Sequence, residues 1–164
     1  MPETVYLFDV DGTLTRPLTE VNDEFADIFL SWKRDKNKKV YLVTGSDIGK
    51  TKKQLFSSLM DQCEGIFTCS GNVFYSHGRK IYENKLELPS DFIENLQLYL
   101  DMGSPWKNKA GNHIEIRSGM VNFSTVGRNA SADLREAYYK WDQMHNERED
   151  IVDYIKGIYP EFEV

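Results

Sequence analysis

In the stretch VYLFDVDGTLT, Asp9 and Asp11 stand one residue apart at the end of a short apolar run. A strand alternates its side chains, so both would project the same way if the strand continued. Gly12 lets the chain turn there and bring both carboxylates toward one small volume. Such a pair is stable when a divalent cation neutralises it or when one member keeps its proton. Both conditions suit phosphoryl transfer, in which one carboxylate attacks phosphorus and the other moves a proton on the sugar oxygen. Mg²⁺ would screen the repulsion between nucleophile and phosphate, and backbone N–H groups of the turn would cradle the transferring group. Taken alone, Asp-x-Asp-Gly is more simply an acidic turn. The strand before it and Thr13 after it favour chemistry.

The elements that position these residues follow from periodicity. Val5–Phe8 reads as a parallel strand covered on both faces. Phe25, Ile28, Phe29 and Trp32 form a helical stripe, followed by a solvated basic loop, Lys33–Lys39, and a second strand, Val40–Val43. Thr44-Gly45-Ser46-Asp47 turns the chain into another helix, a third strand begins at Ile66, and a hairpin closes around Gly78. The order β-α-β-α-β predicts a parallel sheet, and ligands of such sheets bind beyond the carboxyl ends of the strands. Asp9, Asp11, Ser46 and Ser70 all lie at such ends.

After about Leu86 the pattern changes. A helix is predicted over Pro89–Met102, with Phe92, Leu96 and Leu100 on one face. NHIEIRSGMVNFS then alternates around Ser118-Gly119. Treating those two residues as a tight turn puts Ile114, Ile116, Val121 and Phe123 on one face. His113, Glu115, Arg117, Asn122 and Ser124 fall on the other. Further helices carry Leu134, Tyr138 and Trp141, then Ile151, Ile155 and Ile158, and Glu161–Val164 reads as the start of a strand. Residues 1–84 are expected to form an α/β core and residues 85–164 an α+β cap built on an antiparallel sheet.

At 164 residues with 40% hydrophobic content, the chain can bury a real core. A net charge of -6 argues against a general nucleic-acid binder. Cys63 and Cys69 lack metal-ligand spacing, and no run approaches membrane-spanning length. The expectation is a soluble, cytoplasmic protein with reduced thiols. Gly49-Lys50-Thr51 lacks the leading glycine of a phosphate-binding loop, and the three histidines show no ligand spacing.

FDVDGTLT resembles the first motif of the haloacid dehalogenase superfamily, and Ser46 in YLVTGSD its second. The resemblance implies that Asp9 is a nucleophile forming an aspartyl phosphate. It makes Asp11 the general acid/base, assigns Mg²⁺ to Asp9 and Asp11, and has Ser46 hold phosphate; a plain helix cap is the bland reading of Ser46. IEIRSGMVNFSTVGR, followed by Arg135, resembles the cap of eukaryotic-type phosphomannomutases. In that family Arg117, Arg128 and Arg135 would bind substrate phosphate and sugar, and guanidinium forks suit phosphate better than ammonium groups. Met120 and Asn122 match the same pattern. The implied activity interconverts mannose 6-phosphate and mannose 1-phosphate through a hexose bisphosphate, which also serves as activator. A cap-mediated homodimer and a place in mannose metabolism toward GDP-mannose follow from the same resemblance. A sugar-phosphate phosphatase and a catalytically incomplete phosphosugar- or partner-binding protein are the alternatives.

The sequence also departs from the family pattern. Leu18 stands where the family has a substrate arginine, for which Arg16 is the candidate replacement. Cys69-Ser70-Gly71 stands where the family has glutamate-asparagine-glycine. The chain is expected to end inside the cap, before the motif lysine and the later metal-binding acids.

Overall fold

The structure, a computed structural model, describes residues 4–17, 19–35 and 38–164. Leu18 lies outside the described residues, as do 36 and 37 of the basic segment. The chain divides into two compact units. The first comprises Met1–Glu87 with Arg117–Met120, and the second Leu88–Ile116 with Val121–Val164.

In the first unit, β1 (Val5–Asp9), β2 (Lys39–Val43) and β3 (Gly65–Thr68) pair in parallel, and β4 (Val73–Ser76) and β5 (Arg79–Glu83) continue the sheet antiparallel. The strand order is the chain order. His77 and Gly78 both take positive φ, 48° and 73°, the geometry of a two-residue hairpin turn. Helices α1 (Asp23–Asp35), α2 (Ile48–Gln54) and α3 (Ser57–Gln62) intervene between the parallel strands. Phe29, Leu55 and Leu59 from this helical layer pack with Val40, Leu42 and Ile66 of the sheet, joined by Tyr6, Phe8 and Trp32.

Two expectations for this unit are corrected. β1 is not covered on both faces. Tyr6 and Phe8 join the core, while Val5 and Leu7 on the opposite face are 49% and 65% exposed. A continuous apolar run permits burial on two sides, but the helices packed on this strand lie on one. The basic segment is also not a solvated loop throughout. Lys33 and Arg34 form the last turn of α1, where their charge complements the helix dipole. Lys38 is buried, donating to the Trp32 carbonyl at 2.5 Å with its ammonium 4.2 Å from the Trp32 ring centre.

In the second unit, α4 (Phe92–Leu98) runs into a π-helical turn, Tyr99–Gly103. The strands β6 (Ile114–Arg117) and β7 (Met120–Phe123) pair, their Arg117 and Met120 ends falling in the first unit, and α5 (Ala132–His145) and α6 (Glu147–Ile158) follow. Phe92, Leu96, Tyr99, Ile151, Ile155 and Tyr159 form one cluster, against which Ile114, Val121 and Phe123 pack. Trp106, Val126, Ala130 and Tyr138 form another. Ile116 and Ile158 depart from the predicted inward faces at 62% and 42% exposed. Tyr159, one residue on, is buried in place of Ile158, because the helix ends at that point and the chain turns. Residues 161–164 form no strand; Phe162 instead packs its ring on Phe92 and Tyr159.

The α5–α6 junction is held by buried polar groups. Asn146 takes the left-handed conformation that ends α5. Glu147, fully buried, accepts from Ser104 Oγ at 2.6 Å and from Tyr138 Oη at 2.8 Å. Burial, with the neighbouring carboxylates adding to it, pushes the Tyr138 phenol upward, so it stays a donor.

Candidate active site

Asp9 is the last residue of β1, exposed, with the Thr13 hydroxyl 3.4 Å from Oδ2. The chain then folds back around the Val10 carbonyl, which accepts from the amides of Thr13, Leu14 and Thr15 at 3.3, 3.0 and 3.0 Å. Gly12, at φ +86°, donates to Thr15 O at 2.7 Å. The amides of residues 12–15 are therefore spent inside the turn, and these four do not serve as the phosphoryl cradle expected of the turn after Asp9. What the turn does is rigidify the segment that presents Asp11.

Asp11 meets two side chains from the next βα unit. Ser46 Oγ lies 3.5 Å from Oδ2, and Gln54 Nε2 donates to Oδ1 at 2.7 Å. The helix-cap role that could have explained Ser46 belongs to its neighbour, since Asp47 Oδ1 accepts from the Lys50 amide at 2.9 Å. Ser46 is buried and its hydroxyl faces Asp11.

Gln54 was not visible to sequence reasoning. In IGKTKKQ it reads as one more polar residue on a basic helix, and the missed signal is the apolar Leu55 beside it, which marks an inward-facing turn. Gln54 is only 4% exposed; Nε2 also reaches Thr15 Oγ1 at 3.4 Å, and Oε1 is buried with no partner among the described residues.

The turn Thr44–Ser46 is held through its three carbonyls. Thr44 O accepts from the Ser70 amide at 3.0 Å, Ser46 O from the Cys69 amide at 2.9 Å, and Gly45 O from the Arg117 guanidinium at 2.7 Å. Arg128, in the second unit, pairs with Glu115 at 3.3 Å. Arg135 donates to the carbonyls of Ala130 and Arg128 at 3.0 and 2.5 Å, so it orders the Arg128 segment. Met120 and Asn122 are half-buried on β7. Arg16 is exposed, and its carbonyl accepts from Thr19. His113 binds the Ser124 carbonyl through Nδ1 at 2.8 Å, an ordinary structural role.

Asp9 and Asp11 offer the hard oxygen donors that suit Mg²⁺. Among the described residues no group of three His, Cys, Asp or Glu side chains could hold a metal ion, so this pair supplies only part of a ligand set. No helix among the described residues is long and apolar enough to cross a membrane.

A mainly parallel sheet that presents acids at the end of its first strand, with a second unit carrying its own antiparallel strand pair, defines an α/β protein. The eukaryotic phosphomannomutase family matches residues 26–164. Curated phosphomannomutases from Galdieria sulphuraria and Triticum aestivum are 35% and 36% identical over 94% and 92% of the chain. Phosphomannomutase 1 of Dictyostelium discoideum is 34% identical over 95%. The chain belongs to the eukaryotic phosphomannomutase family. It spans 62%, 61% and 64% of the lengths of those three relatives. Among solved structures, a phosphatase of the haloalkanoate enzyme superfamily from Bacteroides thetaiotaomicron matches 62% of this chain and 36% of its own, with a TM-score of 0.44 and 23% identity.

Proposed function

We propose that this protein carries out the phosphomannomutase reaction, interconverting mannose 6-phosphate and mannose 1-phosphate through a hexose bisphosphate. The observation that carries the reading is the grouping at the end of β1. Asp9 ends the strand with its carboxylate accessible, and Asp11 follows it, approached by Ser46 and Gln54. Family membership supplies the substrate class.

In this reading Asp9 attacks the phosphorus of the bisphosphate and becomes an aspartyl phosphate, releasing a sugar oxygen that Asp11 protonates. Transfer of that phosphoryl group from Asp9 to the free hydroxyl of an incoming monophosphate, whose proton Asp11 takes, regenerates the bisphosphate and the free carboxylate. Gln54 fixes the rotamer of Asp11, and Ser46 donates its hydroxyl to a phosphoryl oxygen. Arg117, Arg128 and Arg135, with Met120 and Asn122, are assigned to the distal phosphate and sugar, and Arg16 to a supporting role near the first turn. Mg²⁺ is the cation that Asp9 and Asp11 would hold, supplying charge neutralisation at the phosphoryl group. A homodimer formed through residues 85–164 and a cytoplasmic setting belong to the same proposal.

The test is ³¹P NMR of the chain with mannose 1-phosphate, Mg²⁺ and a catalytic amount of hexose bisphosphate, beside Asp9→Asn. Mannose 6-phosphate from the wild type alone supports the mutase. Net inorganic phosphate instead would assign a phosphatase. No turnover of either kind would overturn the reading of this chain as a self-sufficient enzyme.

A further inference from the structure

Three consecutive residues after β3 take positive φ: Cys69 at 50°, Ser70 at 55° and Gly71 at 89°. For glycine this is free, but for two residues with a side chain it is unfavourable, and persists only where surrounding contacts over-determine it. Those contacts are on one element. The left-handed path turns the Cys69 and Ser70 amides the same way, onto Ser46 O and Thr44 O, 2.9 and 3.0 Å away. The two bonds bracket Gly45, where an added Cβ would lie 3.6 Å from Ser70 Oγ. The turn is closed by the Asn72 amide on Cys69 O at 3.1 Å and by the Asn72 side chain on the same oxygen at 2.9 Å. On the far side of this brace, the Ser46 amide donates to Thr44 Oγ1 at 3.1 Å, and its hydroxyl faces Asp11.

We propose that the left-handed turn Cys69–Ser70–Gly71 is a positioning device whose strained backbone fixes Ser46 against Asp11. An extended or right-handed turn would send the two amides elsewhere and release the Thr44–Ser46 loop. Ser70 and Cys69 act through Ser46 and do not themselves touch phosphate. The inference rests on the reading of Ser46 as a phosphate ligand, but its own geometry can be tested without that reading.

The experiment compares wild type with Ser70→Gly, Ser70→Val and Gly71→Ala. A β-branched residue at φ 55° is a steric outlier. Gly71→Ala adds backbone strain alone, since its Cβ would meet nothing within 4 Å. Amide hydrogen exchange is read at Ser46 against Phe8 and Leu42, and affinity for inorganic phosphate with Mg²⁺ is measured by titration. Ser70→Val and Gly71→Ala should each speed exchange at Ser46 at least tenfold relative to the two reference amides and weaken phosphate binding by about the same factor. Ser70→Gly should match wild type in both. Unchanged Ser46 exchange, or an equal rise at Phe8 and Leu42, overturns the proposal; if Ser70→Val does not fold, Gly71→Ala decides. A wild type that binds phosphate no better than Ser46→Ala overturns the phosphate reading instead, and the exchange data still decide the positioning role.

Discussion

Gln54 reaches from the last turn of α2 to Asp11, its side-chain amide donating to Oδ1 at 2.7 Å while its own oxygen stays buried without a partner among the described residues. In the proposed reaction Asp11 moves a proton and needs one rotamer, which this hydrogen bond would favour.

Gln54→Leu is expected to keep the fold and lower phosphoryl transfer. The change removes a buried acceptor without a partner among the described residues but also the donor to Asp11 Oδ1, so a loss of about 1–2 kcal/mol is expected. Misorientation of a reacting group costs up to roughly a hundredfold in rate. Urea unfolding and the ³¹P assay of mannose 1-phosphate conversion check the two halves. A variant as fast as wild type would make Gln54 a packing residue only.

Much of this architecture can be read directly from residue patterns. The strands at Val40 and Ile66, the Ser118-Gly119 turn and the inward stripe Leu134, Tyr138 and Trp141 follow from apolar period and turn chemistry. Three features do not. The exposure of Leu7 depends on which face the helices take, and a uniformly apolar run carries no sign of that. Gln54 looks solvated because its neighbours in sequence are lysines, while its neighbours in space come from the Asp11 turn. Phe162 reads as a strand residue because EFEV alternates, yet its ring packs on Phe92 and Tyr159. The approach of Ser46 to Asp11 was legible because each lies in the turn that follows a strand, which local sequence encodes. The arginine contacts were not, since Arg117 and Arg135 spend their donors on carbonyls that sequence cannot locate.

Glu147 is the second unit's most exacting residue. Glu147→Leu would leave the Ser104 and Tyr138 hydroxyls buried without their acceptor, at a cost of about 2–4 kcal/mol. Glu147→Gln keeps an acceptor for one of them and should lose clearly less. Equilibrium urea unfolding of the two variants measures the difference, and equal losses would show that the hydroxyls find other partners.

Gly65 opens β3 beneath the Phe74 ring, where a Cβ would lie 2.4 Å from a ring carbon and 2.8 Å from the Tyr75 carbonyl oxygen. The ring can tilt, but the carbonyl belongs to the paired strand. Gly65→Ala is expected to destabilise the sheet by about 1–3 kcal/mol, the range of overpacking. Thermal unfolding reads this directly, and a neutral result would mean that β4 can shift without loss.

Cys63 has a thiol that burial pushes up to about 12, against a smaller opposing pull from the Lys33 ammonium. The thiolate is the reacting species, so at pH 8 the folded protein should leave Cys63 almost inert to a chromogenic disulfide reagent. It should react at the ordinary thiol rate in denaturant. Mass spectrometry of the labelled peptide separates it from Cys69. Rapid native labelling of Cys63 would show that the segment between α3 and β3 opens far more readily than its packing implies.

Glu64 gives the first unit a pH dependence. Burial raises its carboxyl, but the Val40 amide and the Lys33 ammonium outweigh that and hold it below its ordinary value. The contacts are reciprocal: Val40 N–H donates to Oε2, Glu64 N–H donates to Val40 O at 2.9 Å, and Lys33 Nζ lies 3.2 Å from Oε1. A carboxylate depressed in the folded state stabilises fully above its unfolded value, about 4.3. That contribution is lost as pH falls through the folded value. Wild type should exceed Glu64→Gln in stability at pH 6–7 by on the order of 1 kcal/mol, the Lys33 and Glu64 side chains being 12% and 28% exposed. The gap should close as pH falls below about 4. Urea unfolding of both proteins between pH 3 and 7 tests the sign, and a gap that is constant across the range would assign the difference to the side-chain shape and not to its charge.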